Sequence, residues 1–94
     1  MNIQTIGLVE LSSIAKGMET ADAMLKASQI ELLEARPICP GKYMVLVCGD
    51  VSSVQNSVDV GKAVGAHTVV DEFLLPNVHP SVIATISGAS PVSV

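Results

Sequence analysis

The residues able to do chemistry are few, and the most conspicuous is a cysteine held between prolines. Cys39 lies in Arg36-Pro37-Ile38-Cys39-Pro40-Gly41-Lys42, a run that forces a turn and presents the thiol outward. A thiol there, with Lys42 close by in sequence, is a candidate thiolate. From the residues alone, a functional and an accidental cysteine are about equally good readings. Cys48 alternates with Met44 and Leu46, the pattern of a strand on which a free cysteine packs as a small hydrophobe. The two cysteines are not in a CxxC arrangement, which excludes a zinc ribbon and a thioredoxin-type pair but leaves open a site assembled from several subunits. His67 and His79 read as surface or interface imidazoles. Gly61-Lys62-Ala63-Val64-Gly65 lacks the spacing of a phosphate loop and lies inside a helical pattern, so packing accounts for it. No GxSxG, HExxH or GxGxxG occurs.

These residues are carried by a regular alternation of strands and helices. Residues 3–11 are apolar and β-branched, and Ser12 or Ser13 can cap the helix that follows. Ile14, Met18, Ala21 and Leu25 recur at helical spacing and predict the buried stripe of that helix, with Asp22 placed to pair with Lys26 one turn later. Residues 29–38 predict a half-exposed strand, ended by the turn at Pro37, Pro40 and Gly41, and residues 42–49 a central strand apolar on both faces. Asp50 or Ser52 caps a second helix with the stripe Val51, Val54, Val58, Gly61 and Gly65. Here Gly61 implies a close approach and Gly65 a terminator. Residues 68–75 predict a fourth strand stopped by Pro76, followed by a short turn or helix over 80–86 and a linker-like tail over 87–94.

Sliding the chain by forty residues lays Leu11-Ser12-Ser13-Ile14 on Val51-Ser52-Ser53-Val54. Two βαβ units in sequence then give an α+β fold, ferredoxin-like βαββαβ, with a four-stranded sheet and both helices on one face. The other face would be wet in an isolated domain.

Composition narrows the function. Ninety-four residues make one domain, 49% of them hydrophobic and 15% charged, with a mean hydropathy of +0.54. That is too apolar for a small monomer, so apolar surface should be covered by further copies. A net charge of −4 and only Tyr43 and Phe73 as aromatics argue against nucleic acid. The longest apolar run, Met44 to Cys48, is far too short for the ~20 residues of a membrane helix. The start Met1-Asn2-Ile3-Gln4-Thr5 lacks the features of a signal peptide, which predicts a cytoplasmic chain.

Ile6-Gly7-Leu8-Val9-Glu10, then Ala21-Asp22-Ala23-Met24-Leu25-Lys26-Ala27, a Pro-Gly turn, Gly49-Asp50-Val51 and Gly61-Lys62-Ala63 together resemble the bacterial microcompartment shell domain over residues 1–86. Ser13-Ile14-Ala15-Lys16-Gly17-Met18, Ile38-Cys39-Pro40-Gly41-Lys42 and His79-Pro80-Ser81-Val82 resemble the first half of a tandem-domain subunit of propanediol-utilisation shells. Pro76-Asn77-Val78-His79 departs from the Pro-Arg-Pro-His edge segment of single-domain members.

The resemblance implies a structural shell protein and not an enzyme. Its partners would be further copies and other shell proteins: a homohexamer of single domains, or a trimer where the domain is half of a tandem protein. These rings would be flat discs that tile into the shell. It also implies that Ile38, Cys39, Pro40, Gly41 and Lys42 line a central pore for small molecules or electrons. Cys39 would be one ligand of a 4Fe–4S iron–sulfur cluster shared between subunits, and Asp22, Lys26, Asn77 and His79 would lie at the disc edge. A competing reading from the architecture alone is a soluble oligomeric regulatory module that binds a small ligand between subunits. A thiol redox protein would need a resolving cysteine near Cys39, for which a strand-borne Cys48 is poorly placed.

Overall fold

Ser13 and Asp50 decide where the two helices begin. In the computed structural model, which describes residues 4–38 and 40–79, the elements run β1 (Gln4–Leu11), α1 (Ile14–Ala27), β2 (Glu31–Ile38), β3 (Lys42–Gly49), α2 (Val51–Gly65), a 3-10 turn (Ala66–Thr68) and β4 (Val69–Val78). Ser13 Oγ accepts from the Lys16 N–H at 3.1 Å, and Asp50 Oδ1 accepts from the Ser53 N–H at 3.1 Å, each satisfying an amide that the first helical turn leaves without a partner. Hydrogen bonds from Ser53 hold the Asp50 carboxyl below its ordinary value. A depressed carboxyl stabilises the fold above its unfolded pKa, and this cap weakens as pH falls through the folded value.

The sheet order is β2-β3-β1-β4, every neighbouring pair antiparallel. Each helical crossover therefore spans one intervening strand, as the ferredoxin-like arrangement requires. The period of two sorts each strand by face. Val9, Leu11, Tyr43, Val45 and Val47 meet Ala21 and Met24 of α1 and Val54 and Val58 of α2 in the main core, so both helices lie on one face. The opposite face is less wet than expected: Ile6, Leu46, Cys48 and Val78 form a second apolar cluster, with Leu8 and Leu33 against it.

Helix α1 is rotated relative to its apolar pattern. Gly17, Thr20, Ala21 and Met24 are its buried residues, whereas Met18 is 57% exposed and Ile14 and Leu25 are exposed too. The stripe read from large apolar residues is thus wrong except at Ala21. Tyr43 is the reason: a Cβ at position 17 would collide with the Tyr43 ring and its Cβ, so only glycine lets the helix sit down on β3. Thr20 is buried without penalty because its Oγ1 donates to the Lys16 carbonyl at 2.7 Å. Helix α2 buries Val54, Ser57, Val58, Gly61 and Gly65, as expected apart from an exposed Val51 and the addition of Ser57, which donates to the Met24 carbonyl at 3.0 Å.

Three further expectations need correction. Gly65 is not the terminator: it is right-handed helical (φ −69°), and a Cβ there would lie 2.6 Å from Leu11 Cδ2. The residue that leaves the helix is Ala66, at φ 50°. Pro76 does not end β4, which continues to Val78. Its register shifts between the Gln4↔Val78 and Ile6↔Leu75 pairs, and an edge strand tolerates proline at such an irregularity. Pro37 likewise lies inside β2, the other edge, opposite Tyr43. The turn or helix expected over 80–86 and the tail over 87–94 lie outside the described residues.

Candidate functional site

The β2–β3 hairpin positions most of the candidate residues. Ile38 pairs with Lys42 across its base, and Pro40 and Gly41 stand exposed at its tip. Gly41 takes φ +77°, while a Cβ there would meet nothing within 4 Å. Backbone conformation, not space, thus calls for glycine. Cys39 itself lies outside the described residues, between Ile38 and Pro40 in the sequence.

Charge at the hairpin is paired on the face away from the helices. Lys42 Nζ lies 3.6 Å from Glu10 Oε2, and Arg36 Nε lies 2.8 Å from Glu34 Oε2. Sequence reasoning did not single out Glu10 as a site residue, although its position on β1 and the period of two place it on this face.

The other candidates sit elsewhere. Asp22 and Lys26 form an exposed ion pair at 3.0 Å on α1, as their spacing predicted. Asn77, exposed at φ 59°, falls at the β4 irregularity, and His79 follows the strand, exposed. His67 is exposed in the 3-10 turn. Cys48 is buried at the end of β3 remote from the hairpin, where it lines an open cleft with Gln4, Gln29, Ile30, Glu31 and Gly49. Among the described residues no three His, Cys, Asp or Glu side chains gather as a metal site. Those residues offer no ligand set, and with two cysteines per chain a cluster held by thiolates would need thiols contributed by several chains.

Burial, and secondarily the nearby Glu31 charge, push the Cys48 thiol upward. A raised acid stays neutral when its unfolded counterpart ionises, so the shift favours the fold below the unfolded thiol's ordinary value and the contribution declines as pH rises beyond it. In a Cys39→Ser chain at pH 7, a disulfide reagent should label Cys48 at least about a hundredfold more slowly than the denatured chain, because reaction requires an exposed thiolate. Labelling at the rate of a free cysteine would contradict the burial.

Comparison with known proteins extends these observations. A family model described as the BMC domain matches residues 5–78. The bacterial microcompartment shell protein PduT of Citrobacter freundii is 47% identical over 89 residues, covering 95% of this chain and 48% of that protein. The carboxysome shell protein CcmK2 of Synechococcus elongatus is 35% identical over 78 residues, covering 79% of this chain and 76% of that protein. The crystal structure of a microcompartments protein from Desulfitobacterium hafniense DCB superimposes with a TM-score of 0.90 at 60% identity, over 99% of this chain and 52% of that one. The chain thus spans about half the length of PduT and of the crystallised protein.

Proposed function

The chain belongs to the BMC-domain family, and from that premise we propose that it is a structural subunit of a bacterial microcompartment shell, forming cyclic discs that tile edge to edge. The observation that carries the reading is the family match over 5–78 together with relatives that are themselves shell proteins, one of a bacterial microcompartment and one of a carboxysome. Exposed apolar side chains on several elements, Ile14, Met18 and Leu25 on α1, Leu32 on β2, and Phe73 and Leu75 on β4, support it, because a subunit walled in by neighbours has a use for such surface on more than one side. The assembly is a homohexamer of single domains, or a trimer if the domain is half of a tandem protein. Its role is structural, not enzymatic, and its place is the shell.

In this reading the hairpin 38–42 from each subunit surrounds the disc axis and lines a central opening for small molecules or electrons. Cys39 then contributes one thiol per subunit, and several together would hold a 4Fe–4S cluster, which supplies one-electron transfer when bound. Ile38, Pro40 and Gly41 shape the lining. Lys42 brings the charge.

Asp22, Lys26, Asn77 and His79 occupy the disc edge. Reversing the charge in Lys26→Asp should abolish extended sheets in electron micrographs while discs persist, since an exposed helix pair contributes only about 0.3–0.5 kcal/mol within the subunit. Sheets that form unchanged would remove Lys26 from the edge.

A further inference from the structure

Two of the chain's five Lys and Arg residues, Arg36 and Lys42, flank the hairpin, and each is matched to a carboxylate on the sheet. The register explains the choice of partner. Glu10 pairs with Met44 and Leu11 with Tyr43, so Glu10 and Lys42 are diagonal neighbours on one face, a separation that long side chains bridge. The Glu10 side chain is 22% exposed and that of Lys42 44%, so the carboxylate is the more enclosed of the two and the lysine has the more room to move. Asp71 lies opposite Glu10 on β4, one strand farther from Lys42, and its Oδ1 already accepts from the Glu72 N–H at 2.9 Å. Arg36 belongs to Glu34. Glu10 is thus the carboxylate positioned to restrain Lys42.

We infer that Glu10 is a positioning residue that sets the charge selectivity of the hairpin opening: it draws the Lys42 ammonium back onto the sheet face, leaving a mouth that does not favour anions over cations. This rests on the proposed place of the hairpin at the disc axis, where symmetry repeats Lys42 as a ring, and a ring of like charge selects ions. An exposed pair shifts the lysine toward its partner by roughly two- to fivefold. That is enough to matter when every subunit contributes a copy.

The test uses the assembled protein in planar bilayers under a KCl gradient, with the reversal potential reporting the anion-to-cation permeability ratio. Glu10→Gln should raise that ratio by about twofold or more, and the double variant with Lys42→Gln should return it to the parent value. In the same assemblies, mass spectrometry after brief acylation should show the Lys42 amine gaining roughly two- to fivefold in modification relative to Lys26 when Glu10 is replaced. If Glu10→Gln changes neither readout while Lys42→Glu shifts the ratio toward cations, the hairpin lines the opening but Glu10 does not govern it, and the inference is overturned. If Lys42→Glu and Gly41→Asp also leave the ratio unchanged, the hairpin is not the lining and the premise falls with the inference.

Discussion

Gly17→Ala should lower the unfolding free energy by about 2 kcal/mol, against the ordinary expectation for a helix. Replacing an interior glycine by alanine normally gains about 1 kcal/mol of helix propensity. Here the added methyl meets the Cβ and ring of Tyr43, atoms tied closely to the β3 backbone that cannot rotate away. Overpacking of that kind costs about 1–3 kcal/mol and occasionally more, so the clash outweighs the propensity. For a chain of this size the loss corresponds to a fall of roughly 8–16 °C in Tm. Gly61→Ala is the control. Its nearest obstacle is Met24 Sδ at 2.7 Å, the far part of a flexible side chain, and propensity and crowding should cancel to within about 1 kcal/mol. Thermal melts of the two variants decide the matter, and a Gly17→Ala chain as stable as the parent would mean that α1 does not sit on Tyr43 as described.

Cys39→Ser should abolish cluster binding outright rather than weaken it. Thiolates hold iron–sulfur clusters, and the described residues of one chain provide no alternative set of ligands. The other thiol, Cys48, is buried and pushed toward its neutral form. Anaerobic reconstitution of the parent with iron and sulfide should give a brown protein with visible absorption, Cys39→Ser a colourless one, and Cys48→Ala a protein that keeps the colour. A coloured Cys39→Ser variant would place the cluster elsewhere. A parent that never takes up iron would reduce Cys39 to a residue of the lining.

The order of elements was legible because strands and helices alternate with clear caps, and the caps at Ser13 and Asp50 mark the helix starts that the chain uses. The buried face of α1 was not, because it is built from residues that hydropathy passes over. Gly17 and Thr20 are core residues through shape and a hydrogen bond, not through apolar character. The same blindness shifted the register of the internal repeat. Aligned by burial, Gly17, Thr20, Ala21 and Met24 of α1 fall on Val54, Ser57, Val58 and Gly61 of α2, an offset of 37 residues (54 − 17) where the apolar match gave forty. The alternation is complementary: Gly61 is small where Met24 reaches across, and a hydroxyl occupies the equivalent buried position in each helix. Proline misled for a different reason. Pro37 and Pro76 signal turns in an isolated peptide, yet both sit in edge strands, a placement that only the sheet order reveals. The hairpin was readable from Pro40-Gly41, but Glu10, the partner of Lys42, is remote in sequence and joins the site only through the β1–β3 register.

The claim on which the rest depends is that this domain is a tile. Electron microscopy of the purified protein, with its mass measured in the same solution, tests it most directly. Flat discs with six-fold or pseudo-six-fold symmetry and a central opening, at the mass of a hexamer or of a trimer of tandem chains, are the result expected. A monodisperse monomer at micromolar concentration, with no rings or sheets on the grid, would contradict it.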